Sequence, residues 1–111
     1  MRAATHGDVV VAARALLGLP PSHWNGEVVR WLQLADWADR FRKRTGRVHP
    51  FWGNGTLMSA VMALRGPAGG EPALSDPAYL EAFATVIEAL VLRCPARKRG
   101  ASLPVSPATP I

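Results

Sequence analysis

The residues best suited to chemistry lie around the end of a predicted helix, where cations and an indole recur within about a dozen positions. The cations are Arg40, Lys43, Arg44 and Arg47. Helical side chains three or four positions apart occupy neighbouring surface, so several of these cations can meet phosphate groups together. Trp37 falls on the arginine side of the helix, where it can stack on a ligand or pack against a partner. The pattern predicts a contact with DNA phosphates that reads no bases.

The overall charge allows two explanations for these arginines. The 111 residues include 13 lysine and arginine residues against 8 aspartate and glutamate residues, which gives a net charge of +5. Nine of the 13 basic residues fall within residues 40–47 and 93–99, and such clustering favours an anionic partner. Most of them are arginine, and together with frequent glycine and proline this also fits the codon bias of a GC-rich genome. Both explanations stay open at the level of sequence.

The loop after this helix, residues 44–56, reads RTGRVHPFWGNGT and is a candidate site for an anion or a partner. Its candidate residues are His49, Trp52, Asn54 and Thr56. Loops often carry function, and amides at the start of the next helix carry partial positive charge. The alternative is structural, because Gly53 and Gly55 permit a tight turn and Thr56 can cap the next helix. The run lacks the lysine and glycine spacing of a P-loop, so nucleotide hydrolysis is not predicted.

The sequence contains no arrangement typical of catalysis or metal binding. The three histidines are scattered, without a second ligand at zinc-finger or helical spacing. Ser59, His49 and Asp36 form a triad only on paper, because no nucleophile motif surrounds the serine. We therefore predict a protein that is not an enzyme and that binds no metal and no cofactor. A small enzyme or anion sensor whose site is the loop of residues 44–56 is the least favoured hypothesis.

Membrane insertion and secretion are not predicted. No apolar run approaches the roughly 20 residues that span a bilayer, and the first eleven residues lack the apolar core of a secretory signal. The single cysteine, Cys94, cannot form a disulfide within the chain. These observations predict a cytoplasmic protein with no membrane partner.

Hydrophobic periodicity predicts an all-α fold of about four helices, with a long central helix and a flexible C-terminal tail. The predicted helices cover residues 9–17, 23–44, 57–65 and 77–93, with Asp8, Ser22 or Asn25, Thr56 and Asp76 as their caps. Gly46 is predicted to lie just past the end of the second helix. The third helix is almost wholly apolar, which predicts that it forms the buried centre. Residues 1–94 are thus predicted to be a helical domain and residues 95–111 a disordered, basic, proline-rich tail. The predicted core is Leu16, Leu17, Val28, Leu32, Leu57, Val61, Phe83, Ile87 and Leu90.

Two runs of the sequence resemble a known group of proteins. They are HGDVVVAARALL at residues 6–17 and HPFWGNGTLMSA at residues 49–60. They resemble short, largely uncharacterised alphaproteobacterial proteins, in particular the small terminase subunits of gene transfer agents, over about residues 6–65. The resemblance implies a non-enzymatic oligomer that engages DNA and hands it to a separate packaging ATPase. Many phage small terminases have a basic recognition helix, whereas the first helix here carries only Arg14, so reading of a specific DNA sequence is not expected.

The sequence therefore supports two hypotheses about function. The first is a DNA-packaging adaptor, a homo-oligomer that binds DNA through the arginine cluster and a large-terminase-like ATPase through its tail. The alternative is a regulatory adaptor that binds another protein through Trp37, Trp52 and the tail, with the arginines only aiding solubility. Salt-dependent DNA binding favours the first function, its absence favours the second, and saturable binding of a small anion favours a sensor.

Overall fold

The computed structural model describes residues 1–67 and 69–94, so the predicted tail, residues 95–111, lies outside the described residues. The helices are α1 (His6–Leu16), α2 (Trp24–Thr45), α3 (Leu57–Arg65) and α4 (Pro77–Arg93), and a 3-10 turn (Pro21–His23) precedes α2. Within the described part the only extended pairing is an isolated bridge between His49 and Gly53. The prediction of an all-α fold with a long central helix is confirmed. None of these helices has both the length and the apolar character needed to cross a bilayer.

Three helix ends follow their predicted capping residues. The Thr56 hydroxyl accepts the amide hydrogen of Ser59 at the start of α3, and the Asp76 carboxylate accepts that of Ala78 at the start of α4. Gly46 ends α2 with φ of 74°, a left-handed conformation that glycine adopts without strain. Local sequence therefore determines these boundaries.

The starts of α1 and α2 differ from the prediction. The N-cap of α1 is Thr5 rather than Asp8, and α1 begins at His6. Asp8 instead completes a capping box, in which its Oδ2 accepts the Thr5 amide hydrogen at 2.8 Å and its own amide donates to the Thr5 hydroxyl. Neither Ser22 nor Asn25 caps α2, because the 3-10 turn leads directly into the helix without a side-chain cap.

The core lies between two pairs of helices. α1 packs against α3 and α4, and α2 packs against the same two helices, so α1 and α2 lie diagonally across the core. Trp31 of α2 and Tyr79 of α4 are its largest fully buried side chains. Removing these apolar surfaces from water supplies the main driving force for the arrangement.

The predicted core is mostly correct, with one error on α4. Five of its nine members are buried, namely Leu16, Val28, Leu32, Leu57 and Val61, and three more, Leu17, Phe83 and Leu90, are partly buried against them. Ile87 is 40% exposed, and the core contact is made by Tyr79, Ala82 and Val86 instead. α4 is apolar around most of its circumference, so hydrophobicity alone does not determine which face turns inward.

α3 is not the buried centre that its composition predicts. Leu57, Ala60 and Val61 face the core, but Met62 is 43% exposed and Ala63 is exposed. α3 has only nine residues and packs at the side of α1 and α2, so it presents one face to solvent. The centre of the core is instead formed by Trp31 of α2, which is fully buried in one cluster with residues of the other three helices.

Candidate nucleic-acid interface

The C-terminal half of α2 and the loop after it bring four aromatic rings together. The rings of His49 and Trp52 are stacked, with centroids 4.4 Å apart and planes 1° from parallel. Trp37 lies against Trp52 at 5.6 Å, and Phe41 meets His49 edge-on at 4.9 Å. We name these four residues, Trp37, Phe41, His49 and Trp52, the aromatic cluster. It joins the helix that carries the arginines to the loop that the sequence singled out.

Backbone hydrogen bonds of the loop fix the ring of His49. The amides of Phe51 and Trp52 donate to its Nδ1 at 3.0 and 3.1 Å, so the proton of the neutral ring lies on Nε2. The backbones of His49 and Gly53 also pair across the turn. Gly53 has φ of 87°, and a Cβ atom there would lie 2.4 Å from the Ser59 hydroxyl oxygen, so only glycine fits. The turn thus holds His49 and Trp52 in a defined position.

Two exposed arginines lie at a shallow pocket formed with this cluster. The pocket has a volume of about 310 Å³ and is lined by the four rings together with Arg40 and Arg44. Trp37, Arg40 and Arg44 are spaced by three and four positions, which places them on one face of α2. Both arginines are exposed, and no carboxylate of the described residues lies within ion-pairing distance of either one. Their charge therefore faces solvent without a partner from the described chain.

The other two predicted cations lie outside this pocket. The Lys43 ammonium lies 3.2 Å from Asp39 Oδ2, and Arg42 contacts the other oxygen of that carboxylate at 3.3 Å. Arg47 is exposed in the turn after α2, where its amide donates to the Thr45 hydroxyl. The structure therefore groups Arg40 and Arg44 with Trp37, His49 and Trp52, and places Lys43 on a different side of the helix.

Asn54 and Thr56 belong to a cap of α3. Asn54 Oδ1 accepts the amide hydrogen of Thr56 at 3.1 Å and lies within 3.0 Å of the hydroxyl oxygens of Thr56 and Ser59. The backbone amide of Asn54 donates to the Ser59 hydroxyl oxygen. These polar groups satisfy one another, which favours a structural role for both residues.

The carboxylate of Asp8 occupies the start of α3. Its Oδ1 accepts the amide hydrogen of Met58 at 2.9 Å, and its side chain is buried. A carboxylate at this position complements the partial positive charge of the helix N-terminus. The amides of Thr56, Met58 and Ser59 all donate within the chain, so they offer nothing to an external anion. This link was invisible in the sequence because Asp8 and Met58 are 50 positions apart.

Sequence reasoning also missed a pair of carboxylates on the inner side of α2. The ammonium group of Met1 contacts Asp36 Oδ1 and lies 3.5 Å from Asp39 Oδ2, and Arg93 of α4 contacts Asp36 Oδ2. Burial alone would raise the pKa of Asp36, but hydrogen bonding to the Met1 ammonium and the charge of Arg93 outweigh it and lower that pKa.

Asp39 behaves in the same way. Burial opposes its ionisation, yet hydrogen bonds from Lys43 and Arg42 hold its pKa below the ordinary value. Both carboxylates therefore serve as counterions for nearby cations at neutral pH. Arg40 and Arg44, beside the aromatic cluster, are the cations of α2 that no carboxylate of the described residues neutralises.

A larger groove of about 560 Å³ is lined by residues of α2 and α4 where the two helices pack together. Its walls are mainly apolar, and Val29 and Leu92 within it are 60% and 68% exposed. The charged groups that line it are Glu88 and the paired Asp36 and Arg93. Within residues 1–67 and 69–94 no three histidine, cysteine, aspartate or glutamate side chains converge to hold a metal ion. The groove suits an apolar surface better than a charged ligand.

Comparison with known proteins places the chain in a family. No curated protein and no solved structure matches the sequence. A family model described as a domain of unknown function, DUF7742, matches residues 2–90. The match includes the aromatic cluster, Arg40 and Arg44, and α4 almost to its end. The chain therefore belongs to the DUF7742 family.

Proposed function

We propose that the protein is a non-enzymatic DNA-binding adaptor of a DNA-packaging system, similar to a small terminase subunit. Arg40 and Arg44 contact DNA phosphates beside Trp37, and Arg47 adds a contact from the adjoining turn. The observation that carries the proposal is the exposed, unneutralised pair Arg40 and Arg44 at an aromatic pocket. Guanidinium groups in this setting are well suited to phosphate oxygens.

The distribution of ion pairs supports this assignment. Arg30 pairs with Glu27, Arg93 with Asp36, and Arg42 with Asp39. A cation that already has a carboxylate partner gains less from a phosphate, because the existing pair must first be broken. Among the sides of α2, the one that carries the aromatic cluster therefore attracts a polyanion most strongly.

Assembly and partners complete the proposal. The protein acts in the cytoplasm as a homo-oligomer, and residues 95–111 engage a large-terminase-like ATPase. Self-association is supported by the outward face of α4, on which Leu80, Ile87 and Val91 are 40 to 48% exposed. Exposed apolar faces of this kind typically mark contacts between proteins. Light scattering of the full chain tests this part, and a monomer at all concentrations would contradict it.

The DNA contact is tested with two matched triple variants. One replaces Arg40, Arg44 and Arg47 by alanine, and the control replaces three exposed arginines elsewhere, Arg2, Arg30 and Arg65. Both variants lose three positive charges, so a purely global effect of net charge would weaken them equally. Fluorescence anisotropy with labelled duplex DNA gives the affinity as a function of salt.

We expect the site variant to bind all duplex sequences more weakly than the control variant does. Each lost phosphate contact reduces the slope of log K against log salt by about 0.9, so three contacts reduce it by roughly 2 to 3. Circular dichroism should report unchanged helicity in both variants, because the substituted side chains are exposed. Equal weakening of the two variants would refute a contact located at this site.

A regulatory adaptor without a nucleic-acid role is the second candidate, and the groove between α2 and α4 favours it. Val29 and Leu92 expose apolar surface there, which fits a helix or an extended segment of another protein. A protein that binds no DNA at about 50 mM salt, where electrostatic association is strong, would replace the packaging proposal with this one.

A further inference from the structure

Trp37 is an exposed indole that its neighbours hold in place. Trp24 and Trp31 are buried, whereas Trp37 is 42% exposed on the outer face of α2. Its ring rests on Trp52, which is itself stacked on His49. Because two backbone amides fix His49, this chain of contacts limits the rotation of Trp37. The result is an ordered aromatic surface that faces solvent.

The space beside Trp37 suits one small planar group. A volume of about 310 Å³ lies at the lower end of the roughly 300 to 1,000 Å³ typical of ligand pockets. Four aromatic rings line it, and the exposed Arg40 and Arg44, which also line it, supply positive charge. The pocket therefore fits a flat, uncharged ring whose attached groups are anionic.

A nucleobase with its flanking phosphates has this distribution of chemistry. In a uniform duplex the faces of the bases are covered by their neighbours, so no base within it is free to stack on an aromatic side chain. In a single strand each base has a face free to stack on an aromatic side chain, and the phosphates remain available to arginine. Phe51, which is 72% exposed and whose ring lies 6.0 Å from that of His49, extends the aromatic surface beyond the pocket.

We infer that the pocket binds an unpaired base of single-stranded DNA, which stacks on Trp37 while Arg40 and Arg44 hold the adjacent phosphates. The inference rests on the proposed DNA-binding function and goes beyond it, because it gives the site a preference for overhanging or frayed DNA over uniform duplex. It assigns Trp37 a direct role in binding, which phosphate contacts alone would not require.

The test measures binding of the full chain to three labelled probes of equal length at about 150 mM salt. The probes are an oligo(dT) strand, the same backbone with abasic sites, and a blunt duplex. We expect oligo(dT) to bind about tenfold more tightly than the abasic strand, the size of effect expected for one base stacked on an aromatic ring. The duplex should also bind more weakly than oligo(dT), because it offers no free base.

Two variants assign the difference to Trp37. Trp37→Ala should weaken oligo(dT) binding about tenfold and leave abasic binding unchanged, whereas Trp37→Phe should retain most of the affinity because the ring can still stack. Leu92→Ala removes an exposed apolar side chain from the groove between α2 and α4, outside the pocket, and should change neither affinity. Circular dichroism confirms that each variant is folded.

Tryptophan fluorescence provides a second readout. Stacking of a base in the pocket should quench the wild-type emission of Trp37 and of Trp52, which also lines the pocket, during titration with oligo(dT). The Trp37→Phe variant should therefore show less quenching while it still binds, and the remainder should come from Trp52. Trp24 and Trp31 are buried and should contribute little to the change.

Three results would overturn the inference while leaving the proposed function intact. They are equal affinity for the oligo(dT) and abasic strands, an equal effect of Trp37→Ala on both, and tighter binding of the blunt duplex than of oligo(dT). A uridine strand that binds about tenfold more tightly than oligo(dT) would also overturn it, because the site would then belong to RNA. Failure to bind any nucleic acid would instead contradict the proposed function itself.

Discussion

Replacement of Asp8 by alanine should destabilise the fold more than the loss of an ordinary helix cap. Asp8 is buried, and it accepts backbone amide hydrogens from Thr5 at 2.8 Å and from Met58 at 2.9 Å. A hydrogen bond to a charged group contributes about 1.5 to 3 kcal/mol. Losing both would cost roughly 3 to 5 kcal/mol, since water can partly replace the carboxylate at Thr5. This is a large part of the roughly 5 to 15 kcal/mol that stabilises a typical domain.

Asp76→Ala is the matched control, because it removes another aspartate that caps a helix but lies on the surface. The Asp76 side chain accepts one hydrogen bond, from the amide of Ala78, and its loss should cost about 1 kcal/mol. Asp8→Asn should fall between the two, because an amide oxygen can still accept from Met58. Urea unfolding followed by circular dichroism gives the three free energies. If Asp8→Ala costs no more than Asp76→Ala, Asp8 does not join α1 to α3 as the hydrogen bonds indicate.

Three further predictions concern packing, backbone conformation and pH. Val61→Ala should lower the free energy of unfolding by about 1 to 4 kcal/mol, because Val61 is fully buried. Ile87→Ala should lower it by less than about 1 kcal/mol in the monomer, because Ile87 is 40% exposed. Equal losses of stability in urea unfolding would contradict this placement of α4. Gly55→Ala should lower the free energy of unfolding by roughly 2 to 4 kcal/mol, because Gly55 has φ of 97° and a Cβ atom there would lie 2.9 Å from Asp39 Cα. An unchanged melting temperature would disprove this close approach of the two backbones. The pKa values of Asp36 and Asp39 are lowered by folding, so the stability they contribute is present above the unfolded pKa of about 4 and is lost as the pH falls through the folded values. The urea concentration at the midpoint of unfolding should therefore decrease as the pH is lowered from 5 to 2. This decrease should be smaller in the Asp39→Asn variant.

The sequence predicted those parts of the fold that depend on neighbouring residues. Asp76 before Pro77, Thr56 before an apolar run, and Gly46 after α2 each act within a few positions, and the helix ends follow them. Contacts between distant segments carry no such signal. The bond from the Met58 amide to Asp8 required the packing of α1 beside α3 before it could be recognised.

One error of the sequence analysis, at Ile87, and one ion pair that it missed, at Lys43, have identifiable physical causes. The prediction that Ile87 is buried is wrong because α4 is apolar on more than one side, so tertiary packing rather than composition determines which face turns inward. The spacing of the cations predicts Lys43 beside Arg40 and Arg44, and it does not take account of Asp39, which lies four positions before Lys43 and pairs with it. An aspartate and a lysine at this spacing commonly pair on a helix, and this signal was present in the sequence.

The aromatic cluster was predicted only in part. Trp37 was recognised as a residue outside the core stripe, and His49 and Trp52 were recognised as candidates within the loop. Their meeting depends on the turn closed by His49 and Gly53, which folds the loop back onto α2. No spacing in the sequence reports that contact.

The salt dependence of DNA binding by the unmodified chain tests the central claim most directly. The account predicts measurable affinity for duplex DNA of any sequence at about 50 mM salt, with log K falling linearly with log salt and a slope of roughly −2 to −3 per chain, the value for two or three phosphate contacts. It also predicts that the Arg40, Arg44 and Arg47 triple variant loses most of this slope. Absence of binding at 50 mM salt, or binding whose strength does not change with salt, would contradict the claim that these arginines form a DNA interface.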